Sequence, residues 1–570
     1  MEHNDCSFQL LGESSILQPM AKTGRNQICH CGSNKKFKHC HGCIDAPIEV
    51  AKTISSSFDA VIQQKIREME AQHVQRENQQ GLGRSIISTE FQGHRVVAVG
   101  NKLLSSKNWR TFHDFLRDYL IGRLGQEWFK SELEKPEAQR HQILRWYERS
   151  IADAKRLSIK VGDIFTGPMT GAQRAFLNLA NNIYLIAHHA APDSADALLQ
   201  TFVRKLKSDR SDDFVGKLFE TYAAAAFLKA GFTLAYEDEM KGSESKVEFV
   251  ATFPKTGKKF SVEVKTRNRA DGEDGVADDY KRLRVANKLN KALAKKAAHT
   301  RVVMIEVNIP DILSGEVLEG WPISALNQIR EAEKIPAPDG SEKPSAYVLV
   351  TNHAFHNNLD AVNVGAQVIA AGCRIRDFGP DVSFNRFKDV LESEDRHQEI
   401  LALLDSMNTH YDIPSTFDGE NPEIAFRTDG GNARLKIGQT YLVPGSDGCE
   451  VSGRLVDAVV EEHSKTFTGI YQTISNSVII RGPLSDEELA AWKRHPDTFF
   501  GEVKQVSRTA NNWLELAKLF YESYRHADRE NLLNWMKGAQ DYNELSRLSQ
   551  MELAIIYCER AAWAAEMKTT

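Results

Sequence analysis

Apolar residues keep helical spacing through residues 48–80, where Phe58, Ile62, Ile66 and Met69 are separated by charged positions. This pattern predicts a helix that the glycines of "GLGRS" (81–85) end. "IISTEFQGHRVVAVGNKLLSS" then predicts short strands around Gly93. Helical spacing returns from Asn108 to about Ala154, with a concentration of aromatics that reads as a helical core. A further helical stretch covers about 172–208 and breaks at Pro192.

After the polar stretch "RKLKSDRSDD" (204–213) the period changes. A helix, "DFVGKLFETYAAAAFLKAGF", leads into a short strand, "TLAYEDE". "KVEFVATFP" and "KKFSVEVKTR" follow as two strands joined by the turn "KTGK". Next come a long helix over about 277–299, a strand over 301–309, a helix over about 322–334 and a strand over 346–352. The order α-β-β-β-α-β-α-β predicts an α/β domain with a mixed sheet. Residues 415–431 read as a linker, about four strands fill 433–482, and the chain is mostly helical from about 485. The expected architecture is multidomain, α+β and α/β. It comprises a knuckle at 22–43, a mainly helical region at 48–208, the mixed-sheet core at 212–412, and a small β-rich segment followed by helices at 432–570.

Composition changes this picture little. Hydrophobic residues at 41% and charged residues at 26% are ordinary for a folded chain. No apolar run reaches the roughly 18 residues that span a bilayer, and the start has no signal-peptide pattern. Cys6, Cys373, Cys449 and Cys558 are isolated, which points to a reducing, cytoplasmic setting. A net charge of −5 excludes a globally basic nucleic-acid binder, so any such binding must use local patches.

The other four cysteines fall in "GRNQICHCGSNKKFKHCHGC" (24–43). Cys29, Cys31, Cys40 and His41 form a Cys₃His set suited to tetrahedral zinc. Gly32 and Ser33 let the chain turn between the pairs. His30, His39 and Cys43 read as bystanders, with Cys43 the spare ligand among them. A knuckle this short takes its folding energy from the metal. The stretch resembles the SEC-C motif, including the Gly-Ser turn and the Lys35, Lys36, Phe37, Lys38 run. That resemblance implies structural zinc and a protein partner, not a reaction.

Chemistry is expected at Glu220, Glu248, Glu263 and Lys265. Side chains alternate along a strand, so Glu263 and Lys265 of "FSVEVKT" share one face, opposite Val262 and Val264. Burying such charges is costly unless they are paired or hold a metal. Glu248 interrupts the neighbouring apolar strand, and Glu220 lies on the preceding helix. Their convergence would suit Mg²⁺ or Mn²⁺, with Glu248 and Glu263 as ligands. Lys265 would orient or deprotonate a water, or neutralise phosphate charge. The arrangement over about 212–310 resembles the PD-(D/E)XK superfamily of restriction-endonuclease-like nucleases. Glu248 matches its strand acid, Glu263-Val264-Lys265 its tripeptide, and Glu220 the acid on its first core helix. The resemblance implies a metal-dependent nuclease. Glu248 stands where that family usually has Asp, and Asp238 or Glu239 are the nearby acids that would compensate.

"YKRLRVANKLNKALAKKAAHTR" contains no acid. On a continuous helix Lys281, Arg284, Lys288, Lys291 and Lys295 form one stripe, which suits a phosphate backbone. Tyr280 and Arg267 stand close enough in sequence to join it. The leading expectation is a DNA endonuclease, in keeping with bacterial defence against foreign DNA and with dimerisation for double-strand cutting. The rivals are a catalytically silent nucleic-acid-binding protein and a protein-interaction adaptor built around the knuckle.

Overall fold

A computed structural model describes residues 48–161, 164–191, 195–236, 247–268, 280–312, 319–420, 435–444, 449–504 and 510–569. Cys29, Cys31, Cys40 and His41 lie outside these residues, as do Asp238 and Glu239. The chain divides into two units, residues 1–66 and 67–570. In the first, the described part is 48–66, the beginning of helix α1 (Ile48–Gln80).

The second unit continues with an antiparallel meander of β1 (Ile87–Phe91), β2 (His94–Val99) and β3 (Lys102–Ser106). Gln92 and Gly93, both at positive φ, make the two-residue turn that joins β1 to β2. The helical stretch expected over 108–154 is three helices. They are α2 (Phe112–Leu124), α3 (Gln126–Glu134) and α4 (Gln142–Leu157). Thr111 and Asp114 cap α2 reciprocally, and Gly125, at φ 90°, separates it from α3. A short ribbon of β4 (Ile159–Val161) and β5 (Ile164–Thr166) follows. Next are α5 (Gly171–His189), α6 (Ala195–Leu206) and α7 (Ser211–Lys229).

The central sheet has six strands: β6 (Thr233–Tyr236), β7 (Phe249–Thr252), β8 (Lys259–Thr266), β9 (Thr300–Glu306), β10 (Ala346–Asn352) and β11 (Gln367–Cys373). Their spatial order is β11-β10-β9-β8-β7-β6. The pairs β6–β7, β7–β8 and β10–β11 are antiparallel, while β8–β9 and β9–β10 are parallel. The sheet is therefore mixed, as the element order predicts. Strand β11 and helix α10 (Phe387–Thr409) complete it beyond the elements read from the pattern.

Both faces of the sheet are covered. Phe260, Val262, Val264, Met304 and Leu349 join a core that runs through α2, α4, α5, α7 and α10. Val303, Ile305, Val348 and Val350 join a second core with α8 (Val285–Leu293) and α9 (Trp321–Lys334). Strands β9 and β10 are buried on both sides, which is why they read as near-continuous apolar runs. Each fully buried Leu, Val or Phe stabilises the packing by about 1.5–3 kcal/mol.

Two expectations change. The helix over 277–299 is shorter: Tyr280–Leu283 is a single 3₁₀ turn, Arg284 takes a left-handed conformation at φ 55°, and α8 ends at Leu293. A left-handed non-glycine residue cannot continue an α-helix, so the charge stripe is interrupted. The stretch read as a linker from 415 begins as packed chain. Phe417 is 5% exposed in the first core, edge-on to Phe112 and under the guanidinium of Arg95.

Four antiparallel strands follow in sequence order, β12 (Thr440–Pro444), β13 (Glu450–Glu461), β14 (Thr466–Gln472) and β15 (Ser477–Pro483). They enclose a small core with the helix Asp486–Arg494. Helices Trp513–Tyr524 and Gln550–Thr569 pack on α10 through Phe387, Ala517 and Cys558. Among the described residues, no helix is long and apolar enough to cross a membrane.

Candidate active site

Alternation along β8 sets the site. Phe260, Val262 and Val264 enter the first core, and Glu263 and Lys265 point to the opposite face. The Glu248 N–H donates to Val262 O at 3.0 Å, outside the regular β7–β8 register, which ends at Phe249 and Val262. Lys295 Nζ reaches both Glu248 and Glu263, so the two carboxylates stand close together.

Glu263 is only 2% exposed. Two ammonium groups offset the cost of burying its charge, Lys265 Nζ and, at 2.7 Å, Lys295 Nζ, both on Oε1. Its other oxygen, Oε2, is buried and has no hydrogen-bond partner among the described residues. Lys295 also lies 3.6 Å from Glu248 and bridges the pair. Burial raises the Glu263 carboxyl above the ordinary range, against the pull of Lys265 and Lys295. Desolvation lowers the Lys295 ammonium, but its hydrogen bond to Glu263 and the charges of Glu263 and Glu248 outweigh this and raise it.

Glu220 approaches from α7, where it is ion-paired with Lys217 one turn earlier. Burial first, and then the charge of Glu248, pushes its carboxyl up to about 7. Glu220, Glu248 and Glu263 are thus one electrostatic group, with Glu248 in the middle acting on both others. Among the described residues, no three or more His, Cys, Asp or Glu side chains are arranged to hold a metal ion.

The expected phosphate-binding residues separate into three groups. Arg284 and Lys291 are exposed. Lys288 is half-buried, donates to the Thr266 carbonyl, and is lowered by burial and by the neighbouring cations Lys291 and Lys265. Lys295 turns back into the carboxylates, and Arg267 is buried with Nε donating to Arg282 O at 3.2 Å. Tyr280 donates to Asp311 at 2.8 Å. The side chain of Lys281 lies outside the described residues. Sequence reasoning missed Lys217 as the partner of Glu220, although its i, i+3 spacing was a visible signal, and it missed the bridging place of Lys295.

Residues 25–42 match the SEC-C motif. The protein translocase subunit SecA of Pseudomonas fluorescens (strain Pf0-1) is 74% identical over 23 residues, 4% of this chain and 2% of that protein. SecA of Bordetella petrii (strain ATCC BAA-461 / DSM 12804 / CCUG 43448) is 46% identical over 48 residues, 7% of this chain and 5% of that protein. The chain therefore spans only a few per cent of the length of these relatives. No solved structure matches it significantly.

Proposed function

We propose that this chain is a metal-dependent nuclease of the PD-(D/E)XK type that hydrolyses phosphodiester bonds, with DNA as its substrate. The observation that supports the reading is the grouping of Glu220, Glu248 and Glu263, with Lys265 on Glu263, on a sheet that runs antiparallel from β6 to β8 and parallel from β8 to β10. The donor chemistry fits a hard divalent cation: all-oxygen ligands, the Glu220 and Glu263 carboxyls held above their usual range, and a buried oxygen of Glu263 without a partner among the described residues. Glu248 and Glu263 would hold Mg²⁺ or Mn²⁺, with Glu220 beside them. Such an ion supplies Lewis acidity for phosphodiester hydrolysis.

The chain's own groups do the rest. Lys265 places an ammonium where charge develops on the phosphate. Glu220, with a carboxyl near 7, can hold or release a proton at neutral pH. Arg284 and Lys291, both exposed, are free to face backbone phosphates and would position a strand without reading its sequence. The SEC-C segment is assigned structural zinc on Cys29, Cys31, Cys40 and His41, and a protein partner.

A second reading has its own support. Lys265 and Lys295 already balance Glu263, as they would in a silent nucleic-acid-binding protein. Plasmid DNA incubated with Mg²⁺ or Mn²⁺ separates the two. The nuclease converts supercoiled DNA to nicked and linear forms, and Lys265→Ala loses at least about a hundredfold in rate. Binding without cleavage supports the silent reading, and equal cleavage by both proteins rejects Lys265.

A further inference from the structure

Helix α5 is buried along most of its length, yet Arg174, Asn178 and Asn182 follow one another on it at i, i+4 and i+8 and make one polar stripe. The stripe faces α7 and the C-terminal end of α10 across a cavity of about 90 Å³. Arg174 and Lys229 line this cavity, and among the described residues no carboxylate does. Arg174, Asn178 and Lys229 are 6%, 8% and 8% exposed. Burying charge without a counter-charge is costly, so a surplus of cations around a buried space calls for an anion.

The balance supplied by the chain is partial. Arg174 Nη2 donates to Asp412 at 3.2 Å, but Asp412 is half-exposed and also lies 4.0 Å from Arg494. Lys229 Nζ donates to the carbonyls of His410 and Asp412 at 2.7 and 3.1 Å, which leaves one of its three N–H groups. Burial pushes the Lys229 ammonium down to about 8; the charge of Asp412 opposes this and that of Arg174 adds to it, so the two cations repel each other. His410 brings no charge, since burial and Lys229 push its ring down to about 4. Glu306, beyond His353, spends both oxygens on Thr351 and His353.

Asn178 supplies the neutral contact. Its carboxamide makes no hydrogen bond among the described residues, and neither of its polar atoms is sealed, so both reach open space. Arg174 Nη1 is in the same state, whereas Arg174 Nε is sealed and takes no part. A water occupies about 30 Å³ of the liquid, so the cavity has room for about three waters or one small anion.

We propose that this cavity binds one small inorganic anion, held by Arg174, Lys229 and the Asn178 amide. Two sources share that chemistry, a halide and a tetrahedral oxyanion. The site does not depend on the nuclease reading.

The test is thermal melting of the full chain in sodium gluconate, whose anion is too large for the cavity, replaced stepwise by chloride or phosphate at constant ionic strength. A saturable rise is expected, roughly 2–3 °C at a hundredfold excess over Kd for a unit of about 500 residues. A rise with chloride and not phosphate identifies the halide, and a rise with phosphate identifies the oxyanion. Asn178→Leu keeps the shape and removes the amide, so the anion concentration at half-rise should increase about fivefold or more. Asn178→Asp puts a carboxylate between the two cations. It should melt above wild type in gluconate and lose the response to both anions. General salt effects do not saturate and would appear equally in all three proteins. No saturable rise in the wild-type chain, a rise that Asn178→Asp retains, or a half-point that Asn178→Leu leaves unchanged overturns the proposal.

Discussion

Replacing Lys295 with Met tests the logic of the carboxylate site. Met keeps the apolar stem and removes the ammonium that bridges Glu263 and Glu248. Breaking a buried ion pair by removing one partner costs about 3–5 kcal/mol. Here Lys265 stays on the same Glu263 oxygen and Lys295 is 22% exposed, so roughly half of that, about 2 kcal/mol, is expected. For a unit of roughly 500 residues, at about 2.1 cal/mol/K of unfolding entropy per residue, this lowers the melting temperature by about 2 °C. The loss must depend on pH. Burial raises the Glu263 carboxyl in the folded state, so the native form takes up a proton at higher pH than the unfolded chain. That group favours the fold below the unfolded carboxylate value, and the advantage is lost as pH rises through the raised folded value. Above that window Glu263 is ionised and needs both ammonium groups. Below it the neutral acid does not. The Lys295→Met deficit is therefore largest at pH 8 and shrinks toward pH 5, as read by thermal melting of both proteins across that range. A Glu263→Gln background should remove most of it. A deficit below about 0.5 kcal/mol at pH 8, or one that persists undiminished at pH 5 or in the Glu263→Gln background, refutes the reasoning.

Other outcomes follow from the same geometry. Mn²⁺ affinity, measured by calorimetry, should rise as pH climbs through about 7, because the raised Glu220 carboxyl loses its proton there, and Glu220→Gln should flatten that rise. Tyr222→Phe deletes a buried hydroxyl with no hydrogen-bond partner among the described residues, so the melting temperature should hold or increase; a fall of several degrees would mean that the hydroxyl is paired. Lys291→Ala should reduce the slope of log affinity for DNA against log salt by about one, while a slope unchanged from wild type would place the phosphate track elsewhere.

Much of the local structure was legible in the chain. Period-2 alternation in "FSVEVKT" put Glu263 and Lys265 on one face, and both point that way in β8. Near-continuous apolar runs marked β9 and β10 because those strands have no solvent side. Helix α5 and the separation of α5, ending at His189, from α6, beginning at Ala195, were similarly visible, through apolar spacing and a proline. The strands of the C-terminal segment were visible through their turns. The SEC-C stretch was legible because the spacing of its cysteines and histidine is itself local. Strand β11 went unread, since "QVIAAGC" carries a weak pattern and becomes a strand by pairing with β10.

Tertiary structure decided what lies between elements. A helical projection placed Lys295 with Lys288 and Lys291. The left-handed turn at Arg284 and the end of α8 at Leu293 instead returned Lys295 to Glu263. Phe417 lies in a stretch whose composition reads as linker, yet it fills a gap among Phe112, Phe115 and Arg95, which are some 300 residues away in sequence. A cavity of about 630 Å³ gathers side chains from α4, α7, β8 and the turn after β10. The physical reason is one of range. Alternation, helical period, turns and ligand spacing are set by dihedral preferences and burial over a few residues, so the sequence alone determines them. Which charges share a buried site, and which polar atoms go without partners, depends on contacts between segments distant in the chain, and those exist only once the sheet and its helices have packed.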